Sequence, residues 1–332
     1  MLEEFLEPPK ITVENKSTDP NEIRLSDIIS SEINKNADIG IVGIPFDLGV
    51  EFSKGRAGAR KAPDKIREEL HKYGTTFNVD YLTDISDLKI SDFGNIIVNN
   101  NDPDETYNRI KNVIKEMADC NIIPLVLGGG HDITFPCIEG FSKHFKKIGG
   151  VNVDVHFDVR EQIGKNVSSG MVFRKILEDI DDHPLQGENF VEIGADGNVN
   201  ARKYWEYLKR KNVTIYPVKF IRDSIKGTEH IEHFMSNAFK IAGNETNAVF
   251  ASLDIDSVNS EAAPGCSFTN PNGFTTDEIS RIAHAIGFND RVRYFDIVEA
   301  NPDFDVDDRT TRLCARLICC FLTGYKQRIE KK

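Results

Sequence analysis

Short apolar runs bounded by Gly, Pro and Asp alternate along this chain with longer stretches in which apolar residues recur every three or four positions. ADIGIVGIPFD, residues 37–47, predicts a buried strand. The glycine-containing KGRAGARKAPDKIREEL follows and runs into a helix whose start is marked by Pro63 and Asp64. DETYNRIKNVIKEMADC, at 104–120, predicts a helix, and IIPLVLGGGHD, at 122–132, a strand that ends in glycines. Strands are also expected in VNVDVHFD (151–158), NFVEIG (189–194), VTIYPV (213–218), NAVFASLDID (247–256) and VRYFDIVEANP (292–302). Helical ARKYWEYLKRK (201–211) and TDEISRIAHAIG (276–287) fall between them. Strand and helix in alternation predict an α/β fold, a mainly parallel sheet with helices on both faces. No repeat, heptad register or low-complexity linker breaks residues 36–328, which are expected to form one domain. The polar residues 1–35 are an N-terminal extension, expected to be partly disordered or to wrap the surface.

Composition narrows the classes of partner. The formal charge of -12 argues against nucleic acid or an anionic membrane as the main partner. No apolar run approaches the ~20 residues that span a bilayer, and the acidic, proline-interrupted start is unlike a secretion or transit signal. The six cysteines are thinly spread, without a CxxC pair, and reduced thiols in the cytoplasm are expected.

The chemistry lies in three polar clusters at predicted strand ends, where open α/β sheets bind ligands. His131 follows three glycines; Asp154, His156 and Asp158 stand at alternate positions of DVHFD; Asp254 and Asp256 stand two apart in LDID. Alternation on a strand places Asp154, His156 and Asp158 on one face. Taken singly, a histidine after glycines or an isolated DxD reads as a turn or a solvated strand end. Together they bring two imidazoles and four carboxylates to one edge, where the buried carboxylates would repel each other unless cations compensate them. Mixed His and carboxylate donors suit Mn²⁺, Zn²⁺ or Fe²⁺. With Asp154 and Asp254 bridging, six residues suffice for two ions, and a water between two such ions is acidified into a nucleophile. LGGGHD has neither the GxGxxG pattern nor a P-loop lysine, so nucleotide binding is set aside.

The ordered series GGGHD, DxHxD, SxDxD with APG downstream, then EANP resembles the ureohydrolase (arginase/agmatinase/formiminoglutamase) superfamily over nearly the whole chain after residue 35. GRAGA at 55–59, SSGMVFRKIL at 168–177 and EANPDFDVDDRTTRLCARLI at 299–318 are most similar to the formiminoglutamase branch. The resemblance implies a three-layer α/β/α fold and two Mn²⁺ per chain. One ion would be held by His131, Asp154, Asp158 and Asp254, the other by Asp154, His156, Asp254 and Asp256. It implies hydrolysis of a small-molecule amidine, N-formimino-L-glutamate, to L-glutamate and formamide, a step of histidine catabolism, in a trimer or hexamer. Asp158 would pass a proton to the departing amine, and Glu299 would face the cationic amidine. For the carboxylates of such a substrate, Arg174 is the first choice, since a guanidinium pairs bidentately with carboxylate; Arg56 is the second, and Ser169 a further contact. Met171, Asn259 and Ser260 depart from the family pattern near the substrate side. An arginase- or agmatinase-type guanidine substrate and a non-catalytic homologue remain the alternatives.

Overall fold

Strands buried on both faces should be apolar at nearly every position, and the runs read from the sequence are of this kind. In the computed structural model, which describes residues 2–10, 19, 21–162, 164, 166–224 and 231–331, they form the body of a ten-stranded sheet. The strands are β1 (Ile39–Gly43), β2 (Ile90–Ile96), β3 (Ile123–Leu127), β4 (Ile148–Val153), β5 (Leu185–Ile193), β6 (Thr214–Tyr216), β7 (Ala248–Asp254) and β8 (Val292–Val298). Their order is β2-β1-β3-β8-β7-β4-β5-β6, and all neighbours in it are parallel. Of the first 35 residues, Leu6–Glu7 pairs antiparallel and Ile29–Ser30 parallel with β2, covering its outer edge. The expectation for the remainder of that extension falls in part on residues 11–18, outside the described residues.

Alternate strand residues feed two cores, one on each face. Ile39, Ile41, Leu125, Leu127, Val151, Val153 and Leu253 pack with helices Ala62–Lys72, Ile231–Ala242, Thr276–Phe288 and Arg309–Glu330. Val42, Val126, Phe190, Phe250 and Tyr294 pack with Pro103–Asp119, Thr134–His144, Val172–Glu178 and Arg202–Arg210. The result is three layers, α/β/α. Helix starts follow local chemistry: Thr275 and Glu278 form a reciprocal capping box at the start of Thr276–Phe288, and Asp102 accepts from the Glu105 N–H ahead of Pro103. The two longest-packed helices approach closely because Gly324 has no side chain: a Cβ there would lie 2.1 Å from the His284 carbonyl oxygen.

β2 had no clear signature, since ISDFGNI carries Ser91, Asp92 and Asn95 among its buried positions. Its polar residues have a buried partner. The Arg67 guanidinium donates to both Asp92 oxygens at 2.8 and 2.9 Å, to Asn95 Oδ1 at 2.6 Å and to the Gly94 carbonyl at 2.8 Å. One fork thus ties helix Ala62–Lys72 to β2.

Candidate metal centre

Four neighbouring strands, in the order β3-β8-β7-β4, deliver the polar clusters to their carboxyl ends. After β3, Gly128–Gly130 let the chain pass against Phe46; a Cβ on Gly129 would sit 1.8 Å from the Phe46 carbonyl oxygen. His131 follows and is fully buried. Strand alternation is not what gathers the DVHFD ligands, because β4 ends at Val153. Beyond it the Asp154 carboxylate accepts from the His156 N–H (2.7 Å), turning the chain, and Asp158 is reached through a left-handed backbone (φ 46°). The Asp254 carboxylate accepts from the Asp256 N–H (2.8 Å) in the same way. An aspartate accepting from the N–H two residues on is the turn chemistry that D-x-H and D-x-D encode.

These turns converge on two donor groups. His131 Nδ1 lies 3.3 Å from Asp154, 3.1 Å from Asp158 and 3.2 Å from Asp254 carboxylate oxygens. His156 Nδ1 lies 2.9 Å from Asp256 and 3.6 Å from the other Asp154 oxygen. Asp154 therefore faces both groups. Asp254 joins only the first of them, and the second contains Asp154, His156 and Asp256. The sequence-based expectation had Asp254 in both; its Oδ1 accepts from the Asp256 N–H, as Asp154 Oδ1 accepts from the His156 N–H.

Protonation reports the same crowding. Burial alone would lower His131, yet Asp154, Asp158 and Asp254 hold it well above its ordinary value. His156 is likewise driven up to about 12 against its burial, by Asp256 and Asp154. Burial raises Asp256 to about 7, against the pull of His156, and burial with the neighbouring Asp256 and Asp154 raises Asp254. A cluster that draws protons onto its imidazoles is one that a divalent cation would satisfy. His131 Nδ1 and Asp256 Oδ1 are buried without a well-formed hydrogen bond, although carboxylate oxygens surround Nδ1, so these donors point to a shared centre rather than to each other. Oxygen and imidazole donors without a thiolate fit Mn²⁺ or a similar divalent ion.

Behind His131, Ser252 donates to Asp296 at 2.6 Å, so its oxygen is left to accept from His131 Nε2 at 3.1 Å. Asp296 also accepts from Thr134 (2.7 Å) and Tyr294 (2.8 Å). This chain keeps a proton on Nε2 and turns Nδ1 to the carboxylates. Glu299, at the end of β8 with φ 64°, accepts from the His131 backbone N–H at 2.8 Å through Oε1.

A cavity of about 240 Å³ opens onto the cluster. His156, Asp158, Asp254, Asp256 and Glu299 face it, and Ser169 lies on its wall. Arg174 does not reach it. Its guanidinium stacks 4.2 Å over the Tyr207 ring, with Glu161 at 3.5 Å and Glu178 at 3.7 Å, beside a different cavity. Arg56 is occupied as well: it donates to the Cys266 and Ser267 carbonyls and stacks 4.2 Å over Phe304. Two cations passed over in the sequence line the cavity instead, Lys54 and Arg160, and neither has an ion pair among the described residues. Arg160 stands two residues beyond Asp158, and the side-chain-free Gly170 makes its room: a Cβ there would meet Arg160 Cδ at 2.8 Å. Met171 is buried beside the Arg174 cavity, and the Asn259 side chain accepts from the Ala262 N–H in a turn.

The model of the arginase family matches residues 37–324. The chain belongs to the arginase family. Arginase-family relatives include the formimidoylglutamase of Halalkalibacterium halodurans, 29% identical over 287 residues, which are 86% of each chain. That of Staphylococcus haemolyticus is 27% identical over 93% of this chain and 95% of its own. Among solved structures, Trypanosoma cruzi formiminoglutamase with Mn²⁺ superposes with a TM-score of 0.85 at 28% identity, over 93% of this chain and all of that one. The arginase-family fold and the α/β/α layering expected from the strand pattern agree. The cysteines are all free, and no described helix is long and apolar enough to cross a membrane.

Proposed function

We propose that this arginase-family chain is a manganese-dependent hydrolase of a linear amidine that carries carboxylates, with N-formimino-L-glutamate as substrate. The observation that carries this reading is one cavity with an imidazole–carboxylate cluster as its floor and two cations on its wall, Lys54 and Arg160, that have no ion pair among the described residues. The names and the Mn²⁺ of the relatives agree with it.

His131, Asp154, Asp158 and Asp254 would hold one Mn²⁺, and Asp154, His156 and Asp256 the second, with Asp154 shared. When bound, a divalent pair supplies Lewis acidity and a water acidified toward neutral pH. The chain's own groups do the rest. Glu299 spends Oε1 on the His131 N–H, which leaves Oε2 to accept from the N–H groups of an amidinium. Arg160 and Lys54 pair with the substrate carboxylates, the role first expected of Arg174 and Arg56, and Ser169 adds a hydroxyl on the wall. Water oxygen bonds to the formimino carbon as its proton passes to Asp158, the bond from that carbon to the glutamate nitrogen breaks, and Asp158 delivers the same proton to the departing amine. Formamide and L-glutamate leave.

The same reading carries a place in histidine catabolism, a cytoplasmic setting, residues 36–328 as one catalytic domain and a homo-oligomer, trimer or hexamer, whose mass sedimentation would give. The test is formamide release from N-formimino-L-glutamate by manganese-loaded protein, alongside arginine and agmatine, with metal content determined by elemental analysis. Two manganese per chain and release from the formimino compound alone is the expected result. Release of urea from a guanidine would replace the substrate, and metal without any turnover would make the chain a non-catalytic homologue.

A further inference from the structure

Below the ligands lies a second polar row that the reaction does not use. Asn152 on β4 pairs in register with Glu192 on β5 and with Ser252 on β7, which pairs with Asp296 on β8. Glu192, Asn152, Ser252 and Asp296 therefore cross four adjacent strands side by side, all buried. In a parallel sheet, residues in register share a face, and residues two apart on a strand point the same way. Asp254 stands above Ser252, and Asp154, just past the end of β4 but still donating its N–H to the Ile193 carbonyl, lies above Asn152. The Ser252–Asp296 half of the row holds His131, as described above.

The other half ends in a group with no evident purpose. Among the described residues Glu192 makes a single side-chain hydrogen bond, accepting from Asn152 Nδ2 through Oε2 at 2.9 Å, while its Oε1 is buried without a partner. The same Asn152 amide nitrogen points at Asp154 Oδ2 at 3.5 Å, and Asn152 Oδ1 is also unpartnered. Beneath them the sheet is sealed by Phe190, Phe250 and Gly150, where a Cβ would meet Phe250 at 2.3 Å. A buried carboxyl with half its hydrogen-bonding capacity unused is costly to keep, and an apolar side chain of its size would serve a core better.

We propose that Glu192 is a positioning residue for the metal centre: it anchors the Asn152 amide, and that amide turns the Asp154 carboxylate so that one oxygen faces the His131 group and the other the His156 group. The inference rests on the reading of the cluster as a metal centre. Asn152 has two amide protons, and with one directed to Glu192 the other is aimed upward at Asp154. Without Glu192 the amide is free to flip its oxygen toward Asp154, where it would repel the carboxylate.

The test is manganese affinity by equilibrium dialysis for the wild type, Glu192→Gln, Glu192→Met, Asn152→Leu and the Glu192→Met/Asn152→Leu double variant, each accompanied by the thermal midpoint of the metal-free protein. Support would be affinity about ten- to a hundredfold weaker for Glu192→Met and Asn152→Leu, near-wild-type affinity for Glu192→Gln, whose amide oxygen still accepts, and a metal-free midpoint no lower than wild type for the double variant, which strands neither partner. The double variant should be no weaker than Asn152→Leu alone. Unchanged affinity in both single variants, or losses that add in the double variant, would overturn the proposal. If the apolar variants fail to fold, Glu192→Ala and Asn152→Ala take their places with the same expectations for manganese affinity. A wild type that retains no manganese would instead remove the proposed function, so the two failures are separate.

Discussion

Asp154 shows how much one side chain can be asked to do. One carboxylate oxygen accepts the His156 N–H and faces the His156 ring, and the other faces His131. Burial alone would raise Asp154, but the two imidazoles hold it below the usual carboxylate range. Asp154→Ala should therefore cost both metal positions at once, with elemental analysis showing less than half the wild-type manganese and turnover falling below detection. Metal uptake should also depend on pH in a definite direction. Without metal, His156 is held protonated with a value of about 12 and Asp256 is poised at about 7, so cations must displace protons. Affinity should rise with pH, by about tenfold per unit or more between pH 6 and 8 if one or more protons leave. Titration calorimetry in buffers of different ionisation enthalpy would count them, and zero protons would contradict this account. On the substrate side, Arg160→Ala should raise KM for N-formimino-L-glutamate roughly ten- to a hundredfold with kcat little changed. Arg174→Ala, stacked on Tyr207, should leave KM within about threefold. The clustered candidate ligands were legible because turn-forming D-x-H and D-x-D carry both a local conformation and a chemical identity. The arginine on the cavity wall was not, because nothing in a linear string tells Arg160, with a glycine opposite, from Arg174, with a tyrosine and two glutamates around it.

Elements announced themselves in proportion to how apolar they are. β1, β3, β7 and β8 contain runs of Ile, Val, Leu and Phe and were predicted; β4 was predicted too long, since D-x-H ends the strand that its alternation seemed to extend. β2 was missed because its buried positions include Asp92 and Asn95, and their partner Arg67 lies on a helix 25 residues earlier than Asp92. Long-range pairing of buried polar groups leaves no periodic trace. It does leave an energetic one. Asp92→Ala strands a fully buried guanidinium and should destabilise the protein by ~3–5 kcal/mol, seen as a lower urea midpoint. Replacing Arg67 and Asp92 together with Met and Leu should recover much of that loss, since no charge is then left unpaired. A double variant as unstable as the single would show that packing rather than charge governs this joint.

For the whole molecule, the metal is expected to act as a ligand of the native state only. Manganese at about 100 times its Kd should add ~2.7 kcal/mol for each site filled, so the thermal midpoint should rise with manganese and fall when EDTA is added; equal midpoints would mean that the cluster is already satisfied without cations. The net charge of -12 works against any anionic substrate at long range, which makes the local pair Lys54 and Arg160 more important than the overall field. The strand order has a further consequence, for how the protein comes into being. β3, which leads to His131, touches β7, which leads to Asp254, only through β8, the last strand of the sheet in the chain. A nascent polypeptide can hold all six candidate ligands outside the ribosome and still lack the His131 group, because the strand that brings His131 to the others has not yet been made. On the proposed reading, filling of the His131 group is an event that waits for β8, and a shortfall of metal there would gauge how many molecules failed to complete that last insertion.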